Sequence, residues 1–154
     1  APIVGENVYT RYGFRPFFEK QAISIAQPDM GKTGGLMEGR KIAAMGELHS
    51  VRTAWHGPGD VSPVGHAANV ALDLAAYNFG IQEYGPFNEA TREVFKGVPE
   101  MRNGYLYANE APGWGIEVDE KAAAKYPFGG GRSTNDLNGG WGVIRRRDGT
   151  VIKQ

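Results

Sequence analysis

The 154-residue chain contains no cysteine, so neither a disulfide framework nor a thiolate nucleophile is available, and the redox compartment is left open. It has no apolar stretch near the ~20 residues that a bilayer span requires. Net charge is absent as well, because seventeen basic and seventeen acidic side chains balance. No overall field draws the chain to nucleic acid or to an anionic membrane, and neither is expected as a partner. Arg145 to Arg147 form the one basic cluster, short enough to be a solvated hairpin flank. The opening residues, Ala1 to Gly5, lack the charged start and long apolar core of a signal peptide, which makes the cytoplasm the expected compartment. They also run straight into a strand-like segment without an initiator Met, as if something preceded them. A phosphate-binding loop is missing too: the six glycines within 129–142 are not followed by Lys-Ser/Thr and do not join a strand to a helix.

What is present is a 41% hydrophobic composition, ordinary for one globular domain, and an alternation of short β-branched runs with helix-like segments. Strands are expected at Ile3-Val4, Ile23 to Ala26, Val51 to Trp55 and Phe79 to Gln82. An aromatic loop from Tyr9 to Phe14 followed by a helix from Pro16 to Gln21, a helix from Leu36 to His49 and one from Pro63 to Leu74 separate them. A short helix from Glu89 to Phe95 follows the fourth strand. The second of these helices carries apolar Leu36, Ile42, Met45 and Leu48 between charged residues. Strand-helix repetition of this kind favours a parallel sheet with right-handed crossovers. From Met101 onward the pattern changes to an Asn103-Gly104 turn between two short strands, a Pro112 to Gly115 loop, a helix capped by Asp119 ending near Lys125, and a hairpin turn at 147–150 between Val143-Ile144 and Val151-Ile152. Residues 1–100 thus read as a repeating unit and 101–154 as an extension.

One polar residue closes each repeat: Glu6, Asp29, His56 and Glu83, at spacings of 23, 27 and 27 residues. In a parallel α/β barrel every strand delivers its C-terminal end to the same face, so such residues converge. A strand-end glutamate is a good Mg²⁺ ligand, because that cation prefers carboxylate oxygen. An Asp beside a His can hold the imidazole in one tautomer and make it a better base. Neighbouring strands lie about 4.8 Å apart, so contact between Asp29 and His56 is reachable. Each residue also has a plainer reading: a Glu after a strand can be solvated, Pro28-Asp29 can cap the next helix, His66 can be a helix-face residue, and His49 can be a solvated cation at a helix C-terminus. Trp55 and Trp114 read as packing aromatics.

The motifs Val4-Gly5-Glu6, Gln27-Pro28-Asp29 with Gly34-Gly35-Leu36, His56-Gly57-Pro58-Gly59-Asp60 with Ser62-Pro63, Asn78 to Glu83, and Asn103-Gly104-Tyr105 leading to Pro112 to Gly115 resemble the C-terminal half of the enolase superfamily's catalytic barrel, in its acid-sugar dehydratase branch. The resemblance covers nearly the whole sequence and implies an α/β fold: the C-terminal half of a TIM-like (β/α)7β barrel with a C-terminal extension. It implies Glu6 as one Mg²⁺ ligand, His56 and Asp29 as the His-Asp dyad of the mandelate racemase subgroup, and Glu83 as a hydrogen-bond partner of the enolate or substrate. The turn from His56 to Asp60, with Asp60 as a substrate contact, is similar to mannonate dehydratases, whereas the Asp29 motif is closer to galactonate dehydratase and mandelate racemase. The tail from Gly129 departs from the mannonate dehydratase pattern. The activity implied is Mg²⁺-dependent dehydration of a sugar acid of the gluconate, galactonate or mannonate type, with a racemase, a cycloisomerase or a non-catalytic half-barrel as alternatives. In that pattern the other metal ligands, the second acid/base group and the capping domain lie upstream of Ala1. The expected partners are therefore the remainder of the barrel, the capping domain, a small sugar acid and, in a homo-oligomer, further copies of the chain.

Overall fold

A computed structural model describes residues 2–127 and the two strands Ile144–Arg145 and Val151–Ile152. Three short strands, β1 (Ile3–Val4), β2 (Ile25–Ala26) and β3 (Arg52–Thr53), form a parallel sheet in chain order, with Ile3 opposite Ile25 and Ala26 opposite Thr53. Helices connect them, as a parallel sheet requires: α1 (Thr10–Glu19) after β1, then α2 (Met30–Thr33) and α3 (Leu36–Leu48) after β2. After β3 comes α4 (Pro63–Ala75), with Pro63 in its first turn and the Ser62 hydroxyl capping Gly65 N–H at 3.1 Å.

The fourth expected strand is reduced to a single parallel bridge between Thr53 and Phe79. Its ladder begins normally, with Thr53 N–H donating to Asn78 O and Gly80 N–H to Thr53 O, both at 2.9 Å. One step further, the Trp55 carbonyl is taken by the Gln82 side-chain amide at 2.9 Å rather than by a backbone N–H. A side chain has substituted for the ladder, and regular pairing stops.

Two other expectations are corrected. The segment expected as an aromatic loop is helical: α1 starts at Thr10 and contains Pro16 internally, ending at Glu19 rather than Gln21. Phe14 and Phe18, one turn apart, are completely buried with ring centroids 5.9 Å apart. Burial of each ring contributes about 2–3 kcal/mol, enough together to outweigh the ~3 kcal/mol that an internal proline costs. In α3 the buried face is Gly39, Ile42, Ala43 and Gly46, while Leu48 is 86% exposed. The two glycines let the helix press against Met30 and Leu72 on one side and against Phe18 and the Val51 carbonyl on the other.

The core has two parts. Phe14, Phe18, Ile23, Ala26, Ile42 and Val51 fill the space between the first strands and α1 and α3. Met30, Ala43, Trp55 and Leu72 fill the space toward α4. The completely buried Trp55 is the packing residue expected of it.

Beyond the sheet lie α5 (Glu89–Val94), β4 (Phe95–Lys96), β5 (Glu100–Arg102), β6 (Tyr105–Tyr107), β7 (Glu117–Val118) and α6 (Glu120–Ala123). Phe95, expected to end a helix, starts a strand that pairs antiparallel with β7 and so joins residues on both sides of position 100. Strands β5 and β6 form the expected hairpin, its turn residues Asn103 and Gly104 both in the left-handed region at φ 51° and 81°. Asp119 caps α6 through Ala122 N–H at 2.9 Å, and the helix ends at Ala123. The last strands, β8 (Ile144–Arg145) and β9 (Val151–Ile152), pair antiparallel as expected; their turn at 147–150 and the glycine-rich stretch 129–142 lie outside the described residues. Among the described residues, no helix is long and apolar enough to cross a membrane.

Candidate active site

The parallel ladder continues past the regular strands and brings Asp29 and His56 together. Ala54 N–H donates to Ala26 O at 2.9 Å, and His56 N–H to Pro28 O at 3.1 Å. This register sets His56 beside the Pro28-Asp29 pair, and His56 Nδ1 lies 2.9 Å from Asp29 Oδ2. The carboxylate only accepts, so Nδ1 carries the proton and Nε2 is the nitrogen left for other chemistry. Asp29 is also the N-cap of α2: its other oxygen, Oδ1, accepts from Gly31 N–H at 2.7 Å and Lys32 N–H at 3.2 Å. One oxygen of Asp29 thus caps α2, as the plainer reading expected, and the other faces the His56 imidazole.

Glu83 reaches the same loop cluster from the far side of the sheet. Its Oε2 accepts from Gly57 N–H at 3.0 Å and from the Gln27 side-chain amide at 3.1 Å. Gly57 is necessary here, because a Cβ at this position would collide with the Glu83 backbone carbonyl. Gly85 N–H donates to Gly57 O at 2.7 Å, closing the contact between the two turns.

Glu6 is half-buried at the end of β1 and accepts from the Asn7 side chain at 3.2 Å. Asn7 Oδ1 in turn accepts from Lys32 Nζ at 3.2 Å, and that ammonium lies 3.7 Å from Asp29 Oδ2. A polar chain thus runs Glu6, Asn7, Lys32, Asp29, His56 across three strand ends. Asp60 stands apart: it is exposed and, among the described residues, makes no hydrogen bond. Glu6 suits a hard cation as one oxygen donor. Among the described residues no group of three or more His, Asp or Glu side chains could hold a metal ion. These residues do not build a complete Mg²⁺ site.

Sequence reasoning missed several contributors. His66, expected on a helix face, is completely buried, with Nε2 3.3 Å from Pro58 O. Burial holds its pKa below the usual imidazole range, against the opposing influence of the Pro58 carbonyl and Glu83. Asn69 is equally buried and donates to His56 O at 3.0 Å. The sequence offered only a weak signal, two hydrogen-bonding residues three apart in a helix whose one other polar side chain is Asp73. Gln27 was also missed: two residues before Asp29, it points to the same side of the extended chain. His49 is not freely solvated, being half-buried and stacked on Phe18 with centroids 6.0 Å apart. A cavity of about 270 Å³ lies away from the dyad, lined by Ala67, Ala71, Leu74, Pro99, Asn109 and Trp114. The chemistry-bearing groups lie outside that cavity.

The enolase C-terminal domain-like family model matches residues 2–122. The chain belongs to this family. Its sequence is 48% identical over 150 residues to a D-galactonate dehydratase family member of Salmonella enteritidis, covering 97% of this chain and 34% of that protein. A D-galactonate dehydratase family member of Pantoea ananatis is 47% identical over 148 residues, covering 96% of this chain and 34% of that protein. Among solved structures, an enolase from Pantoea ananatis with bound D-gluconate and Mg superposes with a TM-score of 0.81 at 45% identity, covering 97% of this chain and 34% of that one. The chain spans about a third of the length of these relatives. The half-sheet with its crossover helices is accordingly the C-terminal part of the enolase-superfamily barrel. The strand-end cluster lies on the face where such barrels carry their chemistry.

Proposed function

We propose that the complete protein is a Mg²⁺-dependent sugar-acid dehydratase and that this chain supplies the His56–Asp29 dyad. The observation carrying the reading is the 2.9 Å contact between His56 Nδ1 and Asp29 Oδ2, built by the ladder bond from His56 N–H to Pro28 O. The named relatives support the substrate class: two are D-galactonate dehydratase family members, and the Pantoea structure holds D-gluconate.

Dehydration of a sugar acid removes the proton α to the carboxylate and the hydroxyl on the next carbon as one water, and the resulting enol becomes a 2-keto-3-deoxy acid. With Nδ1 committed to Asp29, His56 Nε2 faces this task. Unprotonated, it takes the α-proton; protonated, it delivers a proton to the departing 3-hydroxyl. Glu83, tethered to Gly57 N–H and Gln27, is assigned to hydrogen-bond the substrate or its enolate. Asp60, exposed on the same turn, is assigned to the sugar hydroxyls. Glu6 would hold Mg²⁺ through one oxygen, and the other ligands would come from outside the described residues. The bound cation would stabilise negative charge on the substrate carboxylate.

Exposed apolar groups at both flanks of the half-sheet support completion by another part of the protein. Ile3 on β1 is 44% exposed, and Phe79 and Ile81 on the other side are 43% and 58% exposed. An open barrel leaves unpaired edges that closure removes. Residues 1–100 would form the barrel portion and 101–154 an extension packed on the barrel or on a capping domain.

The test is a screen of gluconate, galactonate and mannonate with Mg²⁺, detecting a 2-keto-3-deoxy product. Product from at least one acid, lost on chelation, supports dehydration. Exchange of the α-proton with solvent without loss of water would shift the reading to racemisation.

A further inference from the structure

Helix α4 carries two polar side chains on the face turned to the catalytic loop, and both are completely buried: His66 and Asn69. Three residues apart, they share one helical face. Asn69 Nδ2 donates to the His56 carbonyl at 3.0 Å. His66 Nε2 lies 3.3 Å from the Pro58 carbonyl, which can only accept, so the ring donates. Together they grip both ends of His56-Gly57-Pro58 from behind.

Apolar side chains would fill this space at lower cost. Each residue leaves its second polar atom, His66 Nδ1 and Asn69 Oδ1, without a hydrogen-bond partner among the described residues. Leaving a buried polar atom unpaired is costly. That cost accompanies a grip on two specific carbonyls, both in the turn that presents His56. The His66 ring also stands edge-on to Tyr84 and Phe87, at centroid distances of 5.4 and 4.9 Å. Those aromatics follow Glu83, whose carboxylate holds Gly57 N–H. One histidine therefore links α4, the His56 turn and the Glu83 segment. Burial lowers its pKa and so favours the neutral ring, and the Pro58 carbonyl selects the tautomer with the proton on Nε2.

We infer that His66 and Asn69 are positioning residues that set the backbone of the His56-Gly57-Pro58 turn and through it the placement of the His56 imidazole. The inference rests on the reading of His56 as the acid/base group. It differs from a packing role in what it asks of position 66. A donor at that site must be kept; an aromatic ring alone does not suffice.

The experiment uses the complete protein with Mg²⁺ and the sugar acid it turns over, comparing His56→Asn, His66→Phe, His66→Gln and Asn69→Ala for kcat, KM and Tm. His66→Phe and Asn69→Ala are expected to lower kcat by about 10–100-fold, since a misplacement near 1 Å can cost that much, with KM changed less than about threefold. His66→Gln, whose amide restores a donor toward Pro58 O, is expected to recover most of kcat even if Tm falls. Wild-type kcat in His66→Phe together with loss in His66→Gln would show packing and overturn the inference. If His66→Phe does not fold, Asn69→Ala decides: unchanged kcat overturns the inference, and a selective fall in kcat supports it. Full turnover by His56→Asn would overturn both the inference and the reading beneath it, whereas an inactive His56→Asn beside fully active α4 variants would overturn the inference alone.

Discussion

Asp29 divides its carboxylate between two tasks, with Oδ1 capping α2 through Gly31 and Lys32 N–H groups and Oδ2 holding His56 Nδ1 at 2.9 Å. The helix cap holds the carboxylate through backbone groups that do not depend on the imidazole. A dyad partner anchored by backbone groups has little freedom to turn away.

Asp29→Asn keeps a capping oxygen but removes the charge that faces His56. Turnover in the complete protein should fall by about 10²–10⁴-fold, the usual contribution of general acid–base catalysis, with little change in Tm. Asp29→Ala should lose about 1 kcal/mol of stability in addition, because the cap goes too. Kinetics paired with thermal unfolding separate the two tasks.

Glu6→Gln keeps the size of the side chain and the contact with Asn7 but removes a charged oxygen. Mg²⁺ affinity measured by calorimetry should fall at least tenfold, or by about 1.4 kcal/mol. Unchanged affinity would remove Glu6 from the metal site.

Gly57→Ala places a methyl group against the Glu83 backbone carbonyl. The two turns must separate, so the Glu83 contact with residue 57 N–H should be lost. We expect a destabilisation of about 1–3 kcal/mol and a loss of turnover larger than the fall in Tm explains. Thermal unfolding and kinetics on the same preparation check this.

Asp73 on α4 is pushed up to about 8, chiefly by burial. The Trp55 indole opposes this by favouring the charged form, but burial is the larger effect. Between about pH 4, where a free Asp titrates, and pH 8, the folded state holds a proton that the unfolded chain has released. Stability is therefore full below that window, falls as pH rises through it and levels off above 8. Asp73→Asn should be close to wild type near pH 4 and more stable by roughly 1–3 kcal/mol at pH 8 or above. Denaturation at the two pH values tests the sign.

The repeat was legible because its polar strand-end residues recur at nearly constant spacing, and the ladder delivers Asp29, His56 and Glu83 to neighbouring loops. The start of α1 was not, because Pro16 suggested a helix start, whereas burial of Phe14 and Phe18 extends the helix upstream. The fourth strand failed for a side-chain reason, since Gln82 takes the Trp55 carbonyl that a ladder N–H would have used. His66 and Asn69 were hidden among the small residues of α4. Their importance depends on which carbonyls they face, and composition carries no such information.

The decisive measurement is sugar-acid dehydration by the complete protein carrying His56→Asn, with Mg²⁺ affinity determined on the same sample. Formation of the 2-keto-3-deoxy product should fall by at least about 10²-fold while Mg²⁺ still binds as in the wild type. Wild-type product formation by His56→Asn would contradict the assignment of the dyad.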